Sequence, residues 1–165
     1  CSLSRGTLGW WLKPPRSYRA GVFGPVRLYL VGSLRNPRVP LFAARLRSDG
    51  YDVFDDWYAA GPDADDRWRD YERQRGHTFE QALAGKAARH VYQFDLSNMI
   101  LSDAAILLTP AGKSGHLELG WFLGWGRPGF ILLGEEPERF DIMYQFATGV
   151  YSDYNDLLKG LDAHR

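Results

Sequence analysis

The sequence predicts one three-layer α/β domain, with helices on both faces of a doubly wound parallel sheet of four or five strands. Three observations carry that expectation. Short runs rich in β-formers (Val26 to Val31, Tyr51 to Phe54, Ala104 to Leu108, Gly129 to Leu133) alternate along the chain with stretches of helical period. Two of them, AAILL and GFILL, are almost wholly apolar, as strands buried on both faces are. No internal repeat or interdomain linker intervenes, and 165 residues suffice for a single core.

Residues 1–25 carry Trp10, Trp11, Pro14, Pro15 and several Arg without a clear period, and the chain starts without Met. They are set apart as a leader, flexible or not native to the domain, which then covers residues 26–165. VRLYLV is the first strand and ends at Gly32 and Ser33. Asn36 is placed to cap a helix over Val39 to Ser48, with Pro40 tolerated in its first turn and Asp49 and Gly50 closing it. The second strand, Tyr51 to Phe54, delivers Asp55, Asp56 and Trp57 to its carboxyl end. Those carboxylates are placed like a site, and they are equally the chemistry of an ordinary turn.

Asp63 to Arg75 is densely charged, with Trp68 and Tyr71 three apart, and reads as a solvated helix or a partly ordered lid that carries specificity. Thr78 and Gln81 form a capping-box pattern that starts a long helix. In it the four-residue step Leu83, Ala87, Val91 continues to Asp95, which puts a carboxylate on the apolar stripe. Burying that charge is costly without a partner or a chemical role. The residues alone also fit an Asp that caps or salt-bridges at the edge of the stripe.

The centre of the chain is Asp103 to Trp125. Its strand stops at Thr109, Pro110 and Ala111, and Gly112, Lys113, Ser114 and Gly115 make a turn. From His116 the residues Leu117, Trp121, Phe122 and Trp125 recur at helical spacing. Ser114 is expected as N-cap, with Glu118 within the first turn, where the helix dipole favours a carboxylate by about 0.3–1 kcal/mol. Strand, glycine turn and helix start make the place where open α/β sheets bind ligands. On spacing alone the same unit is an ordinary βα connection with Glu118 in solvent. A helix is expected over Pro137 to Phe146, a short strand at Val150 and Tyr151, and a last helix capped by Ser152 and carrying Leu157, Leu158 and Leu161.

Twenty basic against twenty acidic residues leave no net charge, which argues against a nucleic acid polymer or an anionic membrane as partner and leaves room for a small anionic ligand. The single cysteine, Cys1, has no partner for an internal disulfide and fits a reducing cytoplasm. No apolar run approaches the roughly 18 residues of a membrane span. His77, His90, His116 and His164 lack second ligands at metal-site spacing, so neither metal nor cofactor is expected. Aromatics make up 15% of the chain, six of them Trp, which allows rings to line a pocket as well as fill the core.

The order Pro110, Gly112, Ser114, His116, Glu118, Leu119, Gly120 resembles the signature of the nucleoside 2-deoxyribosyltransferase family, in which the Glu of Glu-Leu-Gly attacks the sugar C1′. Tyr29 to Asn36 (YLVGSLRN) resembles the segment of its nucleotide-specific branch whose Ser and Arg hold a 5′-phosphate, matched here by Ser33 and Arg35 beside Gly32. Arg suits that task because its fork donates paired charge-assisted hydrogen bonds. The resemblance covers Val26 to about Leu161 and implies a flavodoxin-like, Rossmann-like sheet. It implies Glu118 as nucleophile, Asp95 as acid/base or orienter and Tyr29 as orienter of Glu118. Asp56 and Trp57 would hold the base, and Gly112, Lys113, Ser114 and His116 would line the sugar or phosphate. It further implies a homodimer or higher homo-oligomer acting on a nucleotide or nucleoside.

Two departures from the pattern matter. The loop from Pro110 to Glu118 is one residue longer than in the nucleotide-specific hydrolases, which shifts its phosphate contact to Lys113 or Ser114. His116 is similar to members acting on CMP, which keeps a pyrimidine in view. Hydrolysis of a nucleoside 5′-monophosphate, base exchange through the same glycosyl-Glu intermediate, and nucleotide sensing without turnover are the three readings.

Overall fold

The computed structural model describes residues 24–137 and 140–164, so the expected leader lies outside the described residues except for Gly24 and Pro25. Five strands form one parallel sheet in the order β2-β1-β3-β4-β5: β1 Arg27–Val31, β2 Asp52–Phe54, β3 Ala104–Leu108, β4 Gly129–Leu132 and β5 Gly149–Tyr151. The register aligns Tyr29 with Phe54 and Ala105, Ile106 with Phe130, and Leu132 with Tyr151. Six helices connect them: α1 Arg38–Ser48, α2 Ala64–Gln74, α3 Phe79–Leu83, α4 Lys86–Leu101, α5 Lys113–Gly124 and α6 Tyr154–Asp162. This is the flavodoxin-like α/β architecture.

Strand alternation divides the core between two faces, because successive side chains point to opposite sides of a sheet. Leu28, Leu30, Ile106, Leu108, Phe130 and Leu132 pack on one face against Val39, Phe42 and Leu46 of α1 and Leu157 and Leu161 of α6. Tyr29, Val31, Ala105, Leu107 and Ile131 pack on the other against Met99 of α4 and Leu119 and Phe122 of α5. β3 is buried throughout, as its continuous apolar run requires. The chain leaves β1 for β2 on one side and leaves β3 for β4 on the other. The loops after β1 and β3 therefore diverge at the sheet's switch point, and the crevice between them opens at the carboxyl ends of the strands.

Several local expectations are corrected. Thr78 and Gln81 do form the capping box, but it caps only α3. Gly85 then takes an extended conformation and starts α4, so the expected long helix is two. A mid-helix glycine costs about 1 kcal/mol relative to Ala, and here it becomes a boundary. The stripe it interrupts is not core either, since Leu83 and Val91 are largely exposed and Met99 is the one buried residue of α4. α5 begins at Lys113 with Gly112 in the N-cap position, so Ser114 lies inside the helix and Glu118 in its second turn. Of the helix expected over Pro137 to Phe146, the described residues show a 3₁₀ turn at Ile142–Phe146. Asp153, whose carboxylate accepts from the N–H groups of Asn155 and Asp156, caps α6 in place of Ser152. Pro37 holds the N-cap position of α1 in place of Asn36, whose Oδ1 still accepts the Arg38 N–H at 3.1 Å.

Candidate active site

Three acidic side chains meet on the α4–α5 face of the sheet. Tyr29 comes from the middle of β1, Asp95 from α4 and Glu118 from α5. The ring of Tyr29 is stacked on Phe54 at 5.2 Å and tilted against Phe122 at 5.8 Å, which fixes its position within the core. Burial, then the charges of Glu118 and Asp95, push its phenol far above the usual tyrosine value, so it stays protonated. Glu118 is pushed up to about 8, mainly by burial and further by Asp95. Asp95 rises to about 6 through burial alone, and its Oδ1 is buried with no hydrogen-bond partner among the described residues.

These shifts overturn one expectation. The dipole of α5 was to favour ionised Glu118, but the residue sits past the first turn, where that effect fades, and desolvation wins. No cation offsets the carboxylates in any of these shifts. Between about pH 6 and 8 the pair Glu118 and Asp95 therefore holds one proton. One ionised carboxylate beside one protonated acid, with a neutral phenol at hand, is the equipment for displacement at an acetal-like carbon.

α5 approaches the sheet closely enough to deliver Glu118 because Gly115 has no side chain. A Cβ there would lie 2.9 Å from Val31 Cγ1 and 3.1 Å from Leu107 Cδ1. Ser114 and Glu118 are one helical step apart and share a face, whereas His116, two residues before Glu118, faces away from it. Accordingly His116 leans on the second 3₁₀ turn: its Nε2 is 3.1 Å from the Tyr144 hydroxyl and its ring stacks on that of Tyr144 at 5.9 Å. It lines a small cavity of about 190 Å³ with Leu119, Leu123 and Met143.

The loop after β1 is tightly built. A Cβ on Gly32 would fall 2.9 Å from Val39 and 3.4 Å from the Trp57 ring, and Ser33 Oγ accepts the Arg35 N–H at 3.2 Å. Trp57 donates its Nε1–H to the Leu30 carbonyl at 2.8 Å and packs against both core clusters, so it forms a wall at the end of β1. Asp56 opens the 3₁₀ turn Asp56–Ala60 and is exposed, while Asp55 is tied to Arg47. Gly112 and Lys113 are exposed at the start of α5.

A cavity of about 740 Å³ lies between α2, α3 and the start of α5. Of the predicted site residues it is lined by Ser114 alone; Asp66, Trp68, Arg69, Glu72 and Thr78 are among the others. Arg35 reaches its rim by pairing with Asp66 at 2.7 Å. None of these α2 residues stands out as a ligand in the sequence, because the one that pairs with Arg35, Asp66, lies 31 positions from it. The only local signal was the charge density of Asp63 to Arg75.

No protein-family model and no curated protein matches the chain. Among solved structures, a 2-deoxyribosyltransferase from Bacillus psychrosaccharolyticus aligns at a TM-score of 0.52 and 18% identity, over 80% of this chain and 90% of that one. A conserved protein from Enterococcus faecalis V583 aligns at 0.53 and 14%, over 86% and 100%. The CMP N-glycosidase of Clostridium botulinum aligns at 0.47 and 16%, over 82% and 98%. The likeness is one of fold. No helix among the described residues is long and apolar enough to cross a membrane.

Proposed function

We propose that the chain is an N-glycosidase of nucleoside 5′-monophosphates, working through a covalent glycosyl ester on Glu118. The observation that carries this is the convergence of Tyr29, Asp95 and Glu118 on one desolvated position beside the switch-point loops. At rest the shared proton lies mainly on Glu118, the group of higher value; its transfer to Asp95 leaves the ionised oxygen of Glu118 to attack C1′ as the C1′–N bond breaks, the bonding pair leaving with the base. Asp95 supplies the proton that neutralises the departing nitrogen. Water then adds to C1′, giving its proton to Asp95 and releasing Glu118 and the sugar 5-phosphate. Tyr29, held protonated by burial, steadies the Glu118 carboxylate as it forms. Ser33 and Arg35 take the phosphate, and Ser114 or Lys113 closes it from the other loop.

Base exchange differs only in what intercepts the ester, a second base instead of water. That reading has the fold of the deoxyribosyltransferase neighbour in its favour. The active unit in this proposal is a homodimer, supported by apolar residues that α4 leaves exposed. Val91, Phe94 and Leu101 lie on one side of it, and Val91 and Phe94 adjoin Asp95.

The test is release of free base from a panel of ribo- and deoxyribonucleoside 5′-monophosphates and their nucleosides. Release that is lost in Glu118→Ala, by about 10³-fold or more, is expected. Exchange that requires an added acceptor base makes the chain a transferase, and nucleotide binding with no turnover makes it a sensor.

A further inference from the structure

Asp66 on α2 stands between two guanidinium groups. Its Oδ2 accepts from Arg35 Nη2 at 2.7 Å and its Oδ1 from Arg69 Nη1 at 2.7 Å. Arg69 also holds Asp70 through Nε at 2.9 Å, so its guanidinium bridges two carboxylates of its own helix, one of which, Asp66, reaches on to Arg35. Asp66 and Arg69 both line the 740 Å³ cavity, together with Ser114 from the start of α5. A second, independent feature marks the same wall: Trp68 lines the cavity and its Nε1–H is buried with no acceptor among the described residues. A carboxylate held by one N–H from each of two guanidinium groups, next to an unused buried donor, is the arrangement an oxyanion with more oxygens would complete.

We infer that Arg69 is the second guanidinium of the phosphate site and that Asp66 occupies that site in the free protein, standing in for the substrate's phosphate. The inference rests on the 5′-monophosphate reading and adds to it a specificity residue and a built-in competitor. A phosphate monoester carries about −1.5 to −2 at neutral pH against −1 for the carboxylate, and its three terminal oxygens can serve Arg35, Arg69 and a further donor together. It therefore displaces Asp66, which is already half in water and turns outward at little cost. A ligand without phosphate leaves the Arg35–Asp66–Arg69 bridge closed. Through it α2 stays fastened to the loop after β1, and the charged helix acts as a phosphate-released strap.

The test is calorimetric binding of ribose 5-phosphate to the full chain, with inorganic phosphate and free ribose in parallel, for wild type, Arg69→Gln and Asp66→Asn. Arg69→Gln should weaken ribose 5-phosphate about tenfold, the size of a lost charge-assisted bond. Asp66→Asn should tighten it about threefold, because an exposed pair is a weak competitor. A loss of folding weakens binding in both variants, so opposite signs exclude it. Affinities within twofold of wild type in both variants overturn the inference, as does weaker binding in Asp66→Asn. A chain that releases no base yet binds ribose 5-phosphate through Arg69 supports the site and removes only the reaction. A chain that releases base with an affinity indifferent to both substitutions removes only the site.

Discussion

Glu118 and Asp95 face opposite demands at the same place. A nucleophile must be ionised and an acid must hold a proton, and burial raises both groups. The sum is what matters: one proton between them from about pH 6 to 8. Base release is therefore expected to follow a bell, falling below about 6 as the nucleophile is lost and above about 8 as the acid is lost. Asp95→Asn should cost about 10²–10⁴-fold in rate. Stability moves with the same groups. Their folded values lie above the usual 4.5 and 3.8, so the folded chain binds more protons than the unfolded one. Stability is fullest below those usual values and falls as pH rises toward about 8. Glu118→Gln removes the larger part of that slope and should gain about 1–3 kcal/mol over wild type near pH 9, with little gain near pH 4, in denaturant unfolding. A parallel slope in both proteins would mean that Glu118 is solvated. At this scale the sequence was legible where a residue broke a pattern: Asp95 on an apolar step, Glu118 after a glycine turn. It was not legible for the Asp66 clamp, whose partners are brought together by topology.

At the scale of elements, the site depends on how closely α5 lies on β1 and β3. Gly115→Ala gives the helix about 1 kcal/mol of propensity but drives a methyl into Val31 and Leu107, both fully buried on central strands. Overpacking costs about 1–3 kcal/mol and wins, because those strands cannot retreat. The expected result is a lower unfolding midpoint and a larger loss of base release, since the shift displaces Glu118. Gly120→Ala is the control: nothing lies within 4 Å of a Cβ there, so the propensity gain should appear as added stability. The sequence revealed the strands because β-rich runs between turn residues have few other uses. It hid the start of α5, since Lys113, Ser114 and Gly115 look like a turn until the sheet supplies a reason for a glycine in the first helical turn. It hid the break at Gly85 because the apolar period runs through it, although neither flank of that period is buried.

For the whole molecule, the switch point gathers the chemistry and α3 and α4 leave an unsatisfied surface beside it. Phe79, Leu83, Val91, Tyr92, Phe94, Ile100 and Leu101 are all substantially exposed on these two consecutive helices, of which α4 buries only Met99 against the sheet. Val91, Phe94 and Leu101 share one side of α4, and an exposed apolar face of this kind marks an interaction surface more often than a bare exterior. A second copy laid on it would bury those rings and cover the open side of Asp95, excluding the water that otherwise competes for the carboxylate. Desolvation sets the pKa of Asp95, so in the proposed dimer assembly and chemistry would be coupled. Sedimentation equilibrium should give the mass of two chains, and Val91→Glu or Leu101→Glu, which place charge on the face without touching the sheet, should give one. The value of about 6 already belongs to the single chain, so in those variants the low-pH limb is expected near 6, and in the dimer, where a partner desolvates Asp95 further, above it. Monomeric wild type would remove the dimer from the mechanism, and the acid limb would then be set by the single chain alone.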